Sequence, residues 1–254
     1  MPIPMVAGNW KMHTTVGEGV ALVKEMLDDL DLIQGVEIVL CPPFVSLSAI
    51  KALTDGSSVR VGAQNMHYEQ QGAYTGEISA SMIQGLCEYV ILGHSERRHV
   101  FGESDEIIGK KVESAFRAGL QTILCVGERL EERENGMAEA VVTRQLQAAL
   151  RGVHTLEPLI VAYEPVWAIG SGVAATPEAV VAIMCVIANF LNNHVGNQGI
   201  EVPQLYGGSV TPANVGEFVQ EPIIRGVLVG GASLNAAGFV DITRQIARIK
   251  GRAI

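Results

Sequence analysis

Short runs of apolar residues recur along the chain and alternate with longer stretches whose apolar positions fall three and four apart. The short runs are rich in Val, Ile and Leu with little polar alternation, the pattern of strands covered on both faces. They predict strands over Met5–Asn9, Val36–Cys41, Val59–Ala63, Tyr89–Leu92, Thr122–Val126, Leu159–Tyr163, Gln204–Gly207 and Gly226–Val229. The longer stretches predict helices over Gly17–Leu30, Ser46–Leu53, Ala80–Leu86, Asp105–Ala118, Leu130–Leu150, Pro177–Asn193, Pro212–Val219 and Ala237–Lys250. Strand and helix alternate from end to end, which places the chain in the α/β class with a parallel sheet. Eight such units close a single (β/α)8 barrel over residues 1–254. The competing architecture, a doubly wound open sheet, expects a G-x-G-x-x-G opening a helix after a strand, and the chain has none.

Composition narrows this further. Apolar residues make up 48% and aromatics only 5%, so the core is built from aliphatic side chains, as a helix-covered parallel sheet requires. With 27 acidic against 18 basic residues the net charge is -9, and no basic block interrupts it, which argues against nucleic acid and anionic membranes as partners. The longest apolar run, Ala179 to Ala188, is too short to span a bilayer and reads as a largely buried helix. The first residues lack the basic stretch and the length of a signal peptide, so a cytoplasmic location is expected. Cys41, Cys87, Cys125 and Cys185 have no metal-ligand spacing and read as reduced, mostly buried thiols; no metal site is expected.

The residues with chemistry gather just past the predicted strand ends. After the sixth strand comes Glu164, then Pro165-Val166-Trp167, then the Gly-rich Ile169-Gly170-Ser171-Gly172. Proline forces Glu164 to leave the strand extended, and the stiff-then-permissive loop has the composition of a lid. Thr176 then caps a helix that opens on Pro177. Asn9 and Lys11 follow the first strand; alone, Lys11 reads as a solvated charge unless other groups converge on it. Residues 64–77 form a long loop after the third strand, and such loops are usually functional. His94 ends the fourth strand, with Ser95 placed to cap a short helix directly after it. Glu128 reads either as a carboxylate supporting the site or, preferably, as an anion at the start of the next helix. Gly207-Gly208-Ser209 and Gly230-Gly231 end the last two strands, where barrels often bind phosphate.

Taken together, Asn9-Trp10-Lys11, Gly62-Ala63-Gln64-Asn65, Tyr74-Thr75-Gly76-Glu77, Gly93 to Arg98, Ala162 to Gly172, Tyr206 to Val210 and Val229 to Leu234 resemble the triosephosphate isomerase family, in its order and over essentially the whole chain. The resemblance implies a TIM barrel that interconverts dihydroxyacetone phosphate and D-glyceraldehyde 3-phosphate through an enediolate without a cofactor, in glycolysis and gluconeogenesis. It implies Glu164 as base, His94 as electrophile and Lys11 as electrostatic stabiliser, with Asn9 and Lys11 positioning the substrate. Gly170, Ser171, Ser209, Gly230 and Gly231 would hold the phosphate, and Thr75, on the Gln64 to Glu77 loop, would reach across a homodimer. A neutral His94 is expected, with one nitrogen accepting a backbone N–H and Glu96 turned away from the ring and toward a cation such as Lys11. The chain departs from the family at Ser171, at Val173, and at Ala188 and Arg225, where many members pair an arginine with an aspartate. Two alternatives carry the same glycine pairs: an aldolase-type phosphosugar lyase with a Schiff base on Lys11, and a non-catalytic phosphate-binding barrel. Borohydride trapping discriminates the first; the presence of base and electrophile together argues against the second.

Overall fold

A computed structural model describes residues 2–169, 175–194 and 201–251. Eight parallel strands follow one another around a closed barrel, and the last pairs with the first. They are β1 (Met5–Asn9), β2 (Glu37–Cys41), β3 (Val59–Ala63), β4 (Tyr89–Leu92), β5 (Gln121–Val126), β6 (Leu159–Tyr163), β7 (Gln204–Tyr206) and β8 (Gly226–Val229). Closure sets Met5 of β1 opposite both Glu37 of β2 and Gly226 of β8. Each strand lies within one residue of its expected bounds, because a buried strand is marked by its own composition.

Outside the strands run α1 (Val16–Asp31), α2 (Leu47–Thr54), α3 (Ala80–Ile83), α4 (Ser95–His99), α5 (Asp105–Arg117), α6 (Leu130–Glu134), α7 (Ala138–Ala149), α8 (Pro177–His194), α9 (Val215–Val219) and α10 (Ala236–Lys250). Side chains start several of them. Thr15 forms a reciprocal capping box with Glu18, and Ser104 and Asn235 accept backbone N–H groups at the heads of α5 and α10. Thr176 accepts the Ala179 N–H at the head of α8, as expected of a cap before Pro177.

Four expected helices need correction. Leu130–Leu150 is two helices, α6 and α7, because Gly136 sits at φ +68°, a conformation that ends one helix before the next begins. Ala80–Leu86 shortens to α3, and Gln84 then forms an isolated bridge with Cys87. Pro212 opens a turn rather than a helix: Asn214 accepts the Thr211 N–H and donates to the Ser209 carbonyl, and α9 starts only at Val215. The apolar α8 buries one face, through Val180, Ile183, Met184, Ile187 and Leu191, and leaves Ala182 and Cys185 exposed.

The core has two layers, and strand alternation sorts residues between them. Met5, Ala7, Ile91, Ile123, Ile160, Ala162, Leu205 and Leu228 fill the barrel. Their neighbours Val6, Val90, Leu124, Val161 and Val227 face the helices. Continuing the inward parity past the strand ends brings Asn9, Glu164, Gly207 and Gly230 to the C-terminal mouth. His94 has the opposite parity to Ile91, and Gly93, at φ +70°, turns the chain so that its ring joins them.

Candidate active site

Glu164 is only 2% exposed, and both carboxylate oxygens are engaged. One accepts the Ser95 N–H at 2.9 Å; the other lies 3.0 Å from His94 Nε2. Burial raises its pKa, but the ring, the Ser95 N–H and Lys11 together outweigh burial and hold the carboxyl below its usual range. As found here Glu164 is a stabilised anion, held on both carboxylate oxygens.

His94, rather than Ser95, is the cap of α4: its Nδ1 accepts the Glu96 N–H at 3.2 Å, and Ser95 is the first helical residue. An Nδ1 that accepts a hydrogen bond leaves the ring proton on Nε2, pointed at Glu164. The expected acceptor contact is therefore present, together with a direct contact to Glu164 that was not expected. Burial lowers the ring pKa, whereas Glu164 raises it through charge and hydrogen bond, Glu96 adds to the rise and Lys11 opposes it; the net direction is up.

Lys11 holds an uncommon backbone conformation, φ +53°, which costs about 1–3 kcal/mol outside glycine. Three hydrogen bonds secure the turn. The Lys11 N–H donates to Asn9 Oδ1 at 3.0 Å, and Gln64 Nε2 donates to the Lys11 carbonyl at 2.8 Å and to the Cys41 carbonyl at 2.9 Å. The ammonium reaches Glu96 Oε1 at 2.6 Å, so Glu96 does turn to this cation, although its other oxygen stays 3.6 Å from His94 Nδ1. Nucleophilic lysines are activated by apolar surroundings or a neighbouring cation; Lys11 has a carboxylate instead, which disfavours the Schiff-base alternative.

These side chains share a cavity of about 30 Å³ with Ile169, Gly207, Gly208 and Gly230. A larger groove of about 850 Å³, lined by Arg133, Glu139, Arg144 and Ile183 among others, lies on the outside of the barrel and contains none of them. A Cβ on Gly230 would lie 3.6 Å from Lys11 Cε, and one on Gly231 would meet nothing within 4 Å. Ser209 donates its hydroxyl to the Ala168 carbonyl at 2.9 Å, linking the β7 end to the front of the lid. Gly170 and Ser171 lie outside the described residues, as does Val173. Thr75 is exposed and does not line the cavity. Arg225 sits at the opposite end of the barrel, just before β8, where its guanidinium donates to the Pro2 carbonyl.

Glu128 is a correction. It is fully buried, and it accepts from the Tyr163 hydroxyl at 3.1 Å, Trp167 Nε1 at 2.8 Å and Arg133 at 3.2 Å. The carboxylate thus anchors the turn Val166–Ala168 to the strand that leads into Glu164, rather than serving as a solvated helix-start anion. Two further residues take roles that the sequence reading did not assign them. Gln64 carries no signal beyond its place after β3, and Gly207 looks like any tight-turn glycine. A Cβ on Gly207 would stand 2.9 Å from Glu164 Cγ and 3.3 Å from the Tyr163 carbonyl oxygen. Gly207→Ala is therefore expected to displace the carboxylate and lower kcat by about 10²-fold, the scale of a 1 Å misplacement. Steady-state kinetics beside a thermal melt check this; unchanged kcat would mean that the carboxylate position is not critical.

A buried carboxylate facing an imidazole across the C-terminal mouth of a parallel barrel, with an ammonium beside them, is the layout of a barrel enzyme's site, with groups able to give and take protons. Comparison makes the class specific. The family model described as triosephosphate isomerase matches residues 4–246. Triosephosphate isomerase of Dehalococcoides mccartyi is 48% identical over 249 residues, covering 98% of both chains. That of Aquifex aeolicus is also 48% identical, covering 94% of this chain and 97% of its own. The crystal structure of triosephosphate isomerase from Bartonella henselae superposes with a TM-score of 0.89 at 39% identity, covering 97% of this chain and 100% of that one. The chain belongs to the triosephosphate isomerase family, and it is an isomerase.

Proposed function

We propose that this chain interconverts dihydroxyacetone phosphate and D-glyceraldehyde 3-phosphate, with Glu164, His94 and Lys11 carrying the chemistry. The observation behind the assignment is the single cavity shared by these three side chains. Glu164 takes a proton from the carbon next to the carbonyl, the C–H electron pair becomes the double bond of an enediolate, and negative charge appears on oxygen. Lys11 stabilises that charge, and the Nε2 proton of His94 serves the two substrate oxygens in turn. Glu164 then returns its proton to the neighbouring carbon.

Before the first step Glu164 must leave both Ser95 and His94, each a charge-assisted contact worth about 1.5–3 kcal/mol. Binding of the phosphate, which takes no part in the bond changes, supplies that free energy. The clamp consists of Gly170, Ser171, Ser209, Gly230 and Gly231, and lid closure then keeps water from the intermediate. A coupled assay with each triose phosphate in turn tests the reading; turnover in neither direction by folded protein overturns it.

The proposal includes a cytoplasmic, single-domain subunit that works as a homodimer. No helix among the described residues is long and apolar enough to cross a membrane. The Gln64 to Glu77 loop projects with Tyr74 and Thr75 exposed, its base held by the His67 N–H on the Ile78 carbonyl and by stacking of His67 on Tyr68 and Tyr74. Met12, Phe44, Val45, Met82, Val100 and Phe101 are also exposed, on loops and short helices from the same part of the chain. These exposed apolar side chains support the reading that a partner subunit covers this part of the chain. Thr75→Arg is expected to give weakly active monomers in sedimentation velocity; a dimer of wild-type strength would place the interface elsewhere.

A further inference from the structure

We infer that Arg98 is a positioning residue for the proton relay: its guanidinium, fastened to Asp105, binds the carbonyls of Gly93 and Cys125 and so holds the turn carrying His94 against the strand pair carrying Glu164. The inference rests on the roles proposed above for His94 and Glu164.

The backbone itself leaves this gap open. β4 and β5 pair through Leu92 and Leu124, and there their ladder stops, whereas β5 and β6 stay paired as far as Val126 and Tyr163, with the Glu164 N–H on the Val126 carbonyl. The His94 turn is thus joined to β4, while Glu164 is joined to β5 and β6. Across the gap, Gly93 and Cys125 present two carbonyl oxygens, and two acceptors cannot bond each other. Arg98 supplies the donors, with Nε on the Gly93 oxygen at 2.7 Å and Nη2 on the Cys125 oxygen at 3.1 Å. Nη1 meets Asp105 Oδ1 at 2.5 Å, and Arg144 holds the other Asp105 oxygen at 3.0 Å. The Arg98 side chain is 6% exposed, against 59% for Arg144. Its own N–H bonds the His94 carbonyl at 3.1 Å, so Arg98 grips the catalytic turn from both sides of the histidine. Only a planar fork reaches both carbonyls and the carboxylate at once; an ammonium is a point donor and cannot.

The test uses Arg98→Lys, the milder Asp105→Asn, and Arg144→Gln as the exposed control, each alone and in a His94→Gln background. Arg98→Lys is expected to lower kcat by about 10- to 100-fold while KM for glyceraldehyde 3-phosphate moves less than about threefold, since the phosphate end is untouched. Asp105→Asn should show the same split at smaller size, and Arg144→Gln should leave kcat within about twofold. In the His94→Gln background the cost of Arg98→Lys should nearly vanish, because a misplaced ring that is already absent costs nothing more. A fully additive cost, wild-type kcat in Arg98→Lys, or losses of kcat that follow KM and melting temperature together would each overturn the inference. Should His94→Gln alone turn over like wild type, the assignment of His94 fails first, and that is seen before any Arg98 variant is compared.

Discussion

Glu164→Gln is expected to lower kcat by about 10²- to 10⁴-fold, the range a placed general base supplies, with KM little changed. The amide keeps the volume of the side chain but cannot accept the proton. The surroundings then decide how it sits. The Ser95 N–H needs an acceptor, so the amide oxygen takes that place and the NH2 group faces His94 Nε2. Two donors then meet at 3.0 Å unless the ring gives up its proton on that side, which would set it against the Glu96 N–H on Nδ1. Loss of turnover should therefore come with a changed His94 tautomer. Exchange of the substrate carbon proton with heavy water is the direct measurement; exchange at the wild-type rate would remove Glu164 from the role of base.

His94→Gln is expected to cost about 10²- to 10³-fold in kcat, the loss typical of one aimed oxyanion donor. The more telling experiment follows the ring across pH by nitrogen NMR. Against the lowering by burial, Glu164 lifts the His94 pKa above its ordinary 6.5. A raised pKa contributes stability that is fully present below pH 6.5 and is lost as the pH rises through the raised value. Glu164, lowered from 4.5, contributes stability that is present above pH 4.5 and is lost as the pH falls through its lowered value. The contact between them therefore holds best between pH 4.5 and 6.5, and the melting-temperature difference between wild type and His94→Gln should be largest there. An enediolate analogue draws Glu164 toward the substrate carbon. Burial and Lys11 then act on the ring with less opposition, and its pKa should fall, leaving neutral imidazole as the donor. A ring that stays doubly protonated at neutral pH with the analogue bound would make His94 a cationic stabiliser instead.

Much of this was legible in the order of residues. Strands declare themselves through aliphatic runs, and Glu164 stands directly after one of them; that it shares the inward parity of Ile160 and Ala162 is visible only in the closed barrel. Caps such as Thr15 and Thr176 act within three residues and are equally local. Helix length was less legible. The break at Gly136 is a backbone decision that apolar periodicity does not record, because α6 is almost wholly polar, buries no residue and so has no apolar stripe of its own to end there, whereas the stripe of α7 starts beyond it.

The sequence by itself determined the eight strands, the class of the fold and the set of residues standing at the strand ends. Only the tertiary structure decided their partners. Ser95 meets Glu164 across 69 positions of the chain and Gln64 meets Lys11 across 53. The reason is physical. Propensity, parity and capping act over a few residues and are written locally, whereas a hydrogen bond between strand ends exists only once the barrel has closed and fixed their spacing. Glu128 shows the difference: in sequence it is an acid before a helix, and closure turns it into the buried acceptor for Tyr163 and Trp167.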